Sequence, residues 1–131
     1  MADMQAFEQE CTQFFRPLWP GEDKILVFGD GNTDHPPLML IGEAPGEQET
    51  LKRRPFVGKA GKNLDSFLEL MGMERQEIYV SNVVKIRPTA RGASGRVRNR
   101  APSKEEIALF LPFLMKEIDL VAPRALVTLG N

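Results

Sequence analysis

The stretch LMLIGEAPGEQE, residues 38 to 49, constrains the fold most. Four apolar residues run straight into a turn bracketed by Gly42 and Gly46, with Glu43, Glu47 and Glu49 around it. A short continuous apolar run of this kind reads as a strand buried on both faces, as in a parallel sheet. Open parallel sheets bind their ligands in the loops that leave the carboxyl ends of strands. The three carboxylates are therefore either part of a site or caps for the next helix, whose N-terminal dipole favours negative charge.

The rest of the chain repeats the theme. Residues 5–15 have a weak helical spacing at Phe7, Cys11, Phe14 and Phe15. Ile25–Phe28 reads as a strand ending in the turn Gly-Asp-Gly-Asn. Leu64, Phe67, Leu68 and Met71 fall at i, i+3, i+4 and i+7, which predicts an amphipathic helix closed by Gly72. EIYVSNVVK predicts another strand, with Asn82 as its polar exception. Ser103 and Glu106 form a capping box at the head of a helix running to about Val121, and Pro112 is expected to kink it. RALVTLGN supplies a last strand and a glycine turn. Strands alternating with helices predict an α/β fold, a three-layer α/β/α sandwich with a mainly parallel sheet. The loops after Ile41, near Asn82 and after Leu129 should then share one edge.

At 131 residues, 42% of them hydrophobic, the chain suits a single domain with a proper core. No apolar run approaches the roughly 20 residues of a membrane helix, and the acidic start MADMQAFEQE does not resemble a signal peptide, so a cytoplasmic location is expected. A single cysteine, Cys11, rules out an internal disulfide. His35, the sole histidine, lies in TDHPP and reads as a solvated loop residue.

The net charge of −1 excludes coating of nucleic acid by bulk charge, but the charge is unevenly spread. Lys85, Arg87, Arg91, Arg96, Arg98, Arg100 and Lys104 follow one another with no acid between them. With Pro88, Gly92, Ser94 and Gly95, residues 88–103 predict a mobile basic loop. Arginines without acidic partners favour phosphate, so Arg91, Arg96, Arg98 and Arg100 are the candidate DNA contacts.

IGEAPGEQE, RPFVGKAGKNLD, YVSNVVKIRP and PFL before VTLGN occur in the order and at about the spacing found in the family-four uracil-DNA glycosylases of bacteria and archaea. The chain resembles that family over roughly residues 22–131. The resemblance implies hydrolysis of the N-glycosidic bond of deoxyuridine in base-excision repair, with DNA carrying uracil or another deaminated base as partner. The base must be flipped into a pocket, stacked and read at its edge. Asn82 can read that edge, because a carboxamide donates to O4 and accepts from N3–H while cytosine presents the opposite pattern. Its bland alternative is a strand-end residue bonding backbone. By the same resemblance Phe56 is the stacking ring, and Gly42 and Ala44 line the base pocket. Glu43 guards the C5 side and holds water, and Glu49 is a second catalytic carboxylate. Thr50 stands where the family usually has an aspartate.

Two departures qualify these expectations. Family members hold a four-iron cluster through four cysteines, whereas here only Cys11 matches, with Phe14, Ile86 and Phe110 at the other places. Apolar side chains cannot replace thiolates, so no cofactor or metal is expected. The family also continues past VTLG to a histidine loop that stabilises the departing uracil anion. No histidine follows residue 35 here, so the chain is expected to be a fragment, inactive alone, with apolar sheet surface that could dimerise. Two competing readings remain: a non-catalytic nucleic-acid-binding domain with a relic pocket, and a nucleotide-binding protein using GEAPG as a phosphate turn. The second is weaker, since the stretch is neither G-x-x-x-x-G-K-[ST] nor G-x-G-x-x-G.

Overall fold

The computed structural model describes residues 2–19 and 24–129; the expected turn at Gly130 and Asn131 lies outside them. In chain order the elements are α1 (Ala2–Phe15), β1 (Asp30–Gly31), β2 (Met39–Gly42), α2 (Glu47–Lys52), α3 (Lys59–Met71), β3 (Tyr79–Asn82), β4 (Thr89–Arg91), β5 (Val97–Asn99), α4 (Lys104–Val121) and β6 (Leu126–Thr128). A four-stranded sheet has the order β1-β3-β2-β6. β2 pairs in parallel with β3 and with β6, while β1 adds a short antiparallel edge.

Alternation along the strands assigns the layers. Leu40 and Val80 pack with Ile78 against Leu64 and Leu68 of α3. Met39, Ile41 and Tyr79 face the other way, onto Leu114 and Val121 of α4. Behind that face Phe7, Cys11 and Phe15 of α1 close a further cluster with Val84, Ile86 and Phe110. The result is the expected α/β/α sandwich.

Several local expectations are corrected. Residues 25–28 are not a strand: Val27 N–H donates to the Lys85 carbonyl at 2.7 Å. The expected Gly-Asp-Gly-Asn turn is instead where β1 forms, with Asp30 opposite Val80 and Gly31 opposite Tyr79. The basic segment is a folded hairpin rather than a mobile loop, with Ala90 facing Arg98 across β4 and β5. Gly95 supplies its left-handed residue at φ 82°. Pro112, where a kink is expected, does not end α4, which continues from Lys104 to Val121. Pro112 and Ala108, whose carbonyl loses its usual donor there, are both exposed, on the solvent side of the helix. The Ser103–Glu106 capping box forms as expected, with Glu106 N–H donating to Ser103 Oγ at 3.1 Å. No helix among the described residues is long and apolar enough to cross a membrane.

Candidate active site

The parallel register places Gly42 directly opposite Asn82 at the carboxyl ends of β2 and β3. Both lie on the α3 side of the sheet, where Phe56 joins them. A Cβ on Gly42 would fall 2.5 Å from Asn82 Oδ1 and 2.7 Å from the Phe56 ring. Only the bare glycine lets carboxamide and ring meet here. Asn82 is 4% exposed, yet its carboxamide makes no hydrogen bond among the described residues. The bland alternative, a strand-end amide bonding backbone, therefore fails. Its polar atoms are not sealed off, because Arg75 Nε is the only buried side-chain polar atom without a partner among the described residues, so the carboxamide opens to solvent at the strand end.

Phe56 reaches this corner by an unusual backbone. Its φ is 54°, a left-handed conformation that costs an aromatic residue about 1–3 kcal/mol. Glu49 helps to hold the turn: its carboxylate accepts from Val57 N–H at 3.0 Å, Gly58 N–H at 2.9 Å and Gly46 N–H at 3.0 Å. Burial alone would raise its pKa, but these donors outweigh that and hold it below the usual carboxylate range. Glu49, expected as a catalytic carboxylate, has its oxygens committed to three backbone N–H groups and staples the GEAPG turn to the Phe56 turn. Capping and site-building, the two readings of these acids, meet in this one residue.

Glu43 is exposed at the strand ends, beside a cavity of about 270 Å³ lined by Gly42, Glu43, Val83, Ile107, Thr128 and Leu129. Ala44, expected to line the base pocket, instead packs its methyl group toward the α1 cluster. A larger cavity of about 410 Å³ between α1 and residues 24–28, also lined by Arg53, shares no lining residue with the one beside Glu43. His35 sits before β2, at the opposite end of the sheet, with its Nδ1 3.2 Å from the Ala122 carbonyl oxygen.

Of the four candidate DNA contacts, two are engaged within the protein. Arg100 forms a two-pronged pair with Glu106 at 2.7 and 2.9 Å, and Arg91 donates to the Gly95 carbonyl at 2.9 Å. The side chains of Arg96 and Arg98 are exposed and make no hydrogen bond or ion pair among the described residues. Arg87 ties the hairpin to the site side of the sheet, donating to Asn99 Oδ1 at 2.6 Å and lying 3.9 Å from Glu47.

Sequence reasoning missed a second polar cluster on the α4 side. Lys85 Nζ donates to Glu117 Oε1 at 2.8 Å, to Ser81 Oγ at 3.0 Å and to the Asn82 carbonyl. Tyr79 Oη donates to Glu117 Oε2 at 2.6 Å. Burial and the neighbouring carboxylate push the Tyr79 phenol well above its ordinary pKa. The apolar spacing of α4 gave one signal, since Glu117 falls between Leu114 and Val121 on its buried stripe.

At the place of the expected cluster ligands, Cys11 meets Phe15, Ile86 and Phe110, with Phe15 and Phe110 stacked at a 4.2 Å centroid distance. Phe15, not Phe14, fills that place, because Phe7, Cys11 and Phe15 follow one another at i+4 on one helix face. Phe14 is 47% exposed and leans on Phe113. Burial pushes the Cys11 thiol up to about 12. One protonated thiol among aromatic and aliphatic groups does not fit an iron–sulfur cluster.

A carboxamide without an internal partner, an aromatic ring and a bare glycine thus meet at the carboxyl ends of the parallel strands of an α/β/α protein. The chain belongs to the uracil DNA glycosylase superfamily, whose sequence profile matches residues 28–131. It is 44% identical over 95 residues to the type-4 uracil-DNA glycosylase of Sulfurisphaera tokodaii, covering 72% of this chain and 40% of that protein. To the Saccharolobus solfataricus enzyme of the same name it is 39% identical over 109 residues, 82% of this chain and 46% of the relative. The Thermotoga maritima enzyme matches at 40% over 122 residues, 93% of this chain and 57% of the relative. The chain thus spans about half the length of these curated relatives.

Proposed function

We propose that this domain binds uracil flipped out of DNA and serves in hydrolysis of the deoxyuridine N-glycosidic bond. The observation that carries the reading is the Asn82 carboxamide, on a residue only 4% exposed, which has no internal hydrogen-bond partner and is set against Gly42 and Phe56. Its Nδ2 donates to uracil O4 and its Oδ1 accepts from N3–H, while Phe56 stacks on the ring. In the reaction the N1–C1′ bond breaks with its electron pair going to uracil N1, a water oxygen bonds C1′, and the proton that this water loses ends on the departed uracil. Glu43 is the carboxylate placed to hold that water and to offset positive charge on the sugar. Arg96 and Arg98 meet backbone phosphates, and the protein works in the cytoplasm.

A reading without chemistry also has a specific observation behind it. Glu49 is committed to backbone donors and His35 lies at the far end of the sheet, which leaves Glu43 as the catalytic group from the first motif. Binding and release therefore need separate measurement. Asn82→Ala is expected to weaken uracil binding by at least tenfold, since each lost edge contact is worth about 1–3 kcal/mol when a buried partner is left unpaired. Calorimetric titration with uracil checks this, and unchanged affinity removes Asn82 from the pocket. Uracil release from single-stranded oligonucleotides, assayed in parallel, separates the two readings: release that falls in Glu43→Gln supports the enzyme, and binding without release supports the relic.

A further inference from the structure

The turn that carries Phe56 is gripped from two sides by opposite charges. Glu49 accepts from the N–H groups of Val57 and Gly58, as described above. The Arg75 guanidinium takes the other side: Nη1 donates to the Phe56 carbonyl at 2.6 Å, and Nη2 donates to the Pro55 carbonyl. Main-chain atoms of four successive residues, 55–58, are thus held by two side chains reaching in from α2 and from the turn before β3. Arg75 is half-buried, and its Nε is buried with no hydrogen-bond partner. A guanidinium gives up solvent here for the sake of two carbonyls. The geometry leaves little slack elsewhere, because a Cβ on Gly61 would lie 2.2 Å from the Phe56 carbonyl oxygen.

The strained residue lies between these two grips. Left-handed backbone at an aromatic residue persists only where surrounding bonds over-determine it. Released, the turn relaxes toward ordinary φ and swings the ring away from Gly42 and Asn82.

We infer that Arg75 is a positioning residue for base binding: its planar fork on the Pro55 and Phe56 carbonyls holds Phe56 in the left-handed conformation that presents the ring to the flipped base. The inference rests on the uracil-binding reading and adds a residue outside the pocket to it. Arg75 touches no part of the base. It acts on stacking, so it changes affinity for all pyrimidines alike, whereas Asn82 changes the ratio between uracil and cytosine.

The experiment is a mutant cycle on the whole chain, read by calorimetric titration with uracil and with cytosine, with thermal unfolding as a control. Arg75→Ala is expected to weaken uracil binding about tenfold while leaving the uracil-to-cytosine ratio within twofold. Phe56→Ala should weaken it at least as much, and adding Arg75→Ala to Phe56→Ala should change affinity by less than twofold. Arg75→Lys should fall between wild type and alanine, since one compact ammonium cannot span two carbonyls in the plane of a fork. Should the alanine variant fail to fold, the lysine variant decides, with wild-type affinity counting against the inference. Wild-type affinity in Arg75→Ala, or a full tenfold loss on top of Phe56→Ala, overturns the positioning role alone. Unchanged affinity in both Phe56→Ala and Asn82→Ala overturns the pocket itself, and the positioning role with it.

Discussion

The two faces of β3 handle buried polar groups in opposite ways. On the α4 side, Tyr79 and Ser81 feed a sealed network with Lys85 and Glu117, both ends of the ion pair being 1% exposed or less. On the α3 side, one residue further along, Asn82 is 4% exposed and its carboxamide, open to solvent, bonds nothing among the described residues. A satisfied buried charge holds elements together, whereas a carboxamide at a strand end with no internal partner keeps its donors and acceptor for solvent or a ligand. The two faces also touch. β3 pairs with β1 only at Tyr79 and Val80, so the Asn82 carbonyl lies past the last antiparallel rung and takes the Lys85 ammonium instead. The sealed face thereby fixes the strand end that carries the open one.

The largest effect is expected from breaking the sealed face. Lys85→Met leaves Glu117 buried and unpaired and should cost about 3–5 kcal/mol in urea unfolding. Adding Glu117→Gln, which keeps acceptors for Tyr79 and Ser81, should recover more than half of that loss. If the single variant unfolds like wild type, the network contributes nothing to stability. The open face should behave differently. Gly42→Ala puts a methyl group onto both Asn82 and Phe56, at a stability cost of about 1–3 kcal/mol from overpacking, and uracil binding should disappear from calorimetry. Retained binding would move the base elsewhere.

The same contrast recurs on the surface, with smaller effects. Donation from Arg100 holds the Glu106 carboxyl down, and despite some burial its pKa is lowered to about 2, with Ser103 N–H assisting. A carboxylate with a depressed folded-state pKa stabilises above its unfolded value and loses that contribution as pH falls through the folded one. The Glu106 contribution should therefore be complete above about pH 4.5 and fade between there and pH 2. Glu106→Gln should flatten the stability profile across that window, and an unaltered profile would show the pair to be idle. Arg96 and Arg98 are the unpaired counterparts of Arg100. Alanine at either should lower the salt dependence of DNA binding by about 0.7 to 0.9 in log–log slope, one phosphate each. Arg100→Ala should leave the slope unchanged, and equal slopes for all three variants would erase the distinction between paired and unpaired arginines.

Local patterns determined much of this protein. Continuous apolar runs at 38–41 and 78–80 could serve only as buried strands, and the spacing of Leu64, Leu68 and their neighbours only as a helix face. The Ser103–Glu106 cap closes within three residues, so sequence alone contains both its donor and its acceptor. Gly42 and Asn82 were legible because each ends a strand of a parallel sheet, and parallel register carries such ends to one edge. Tertiary structure decided whatever depended on distant partners. Glu49 became a staple because backbone N–H groups eight and nine residues away reached its oxygens. Lys85 and Glu117 meet across 32 residues, and Arg75 reaches carbonyls 19 and 20 residues before it. Residues 25–28 had the composition of a strand, but a strand needs a neighbour's free edge, and among the described residues they bond only the Lys85 carbonyl, beyond the end of β3. Composition states which groups a chain can bury; only the packed fold states which of them find a partner.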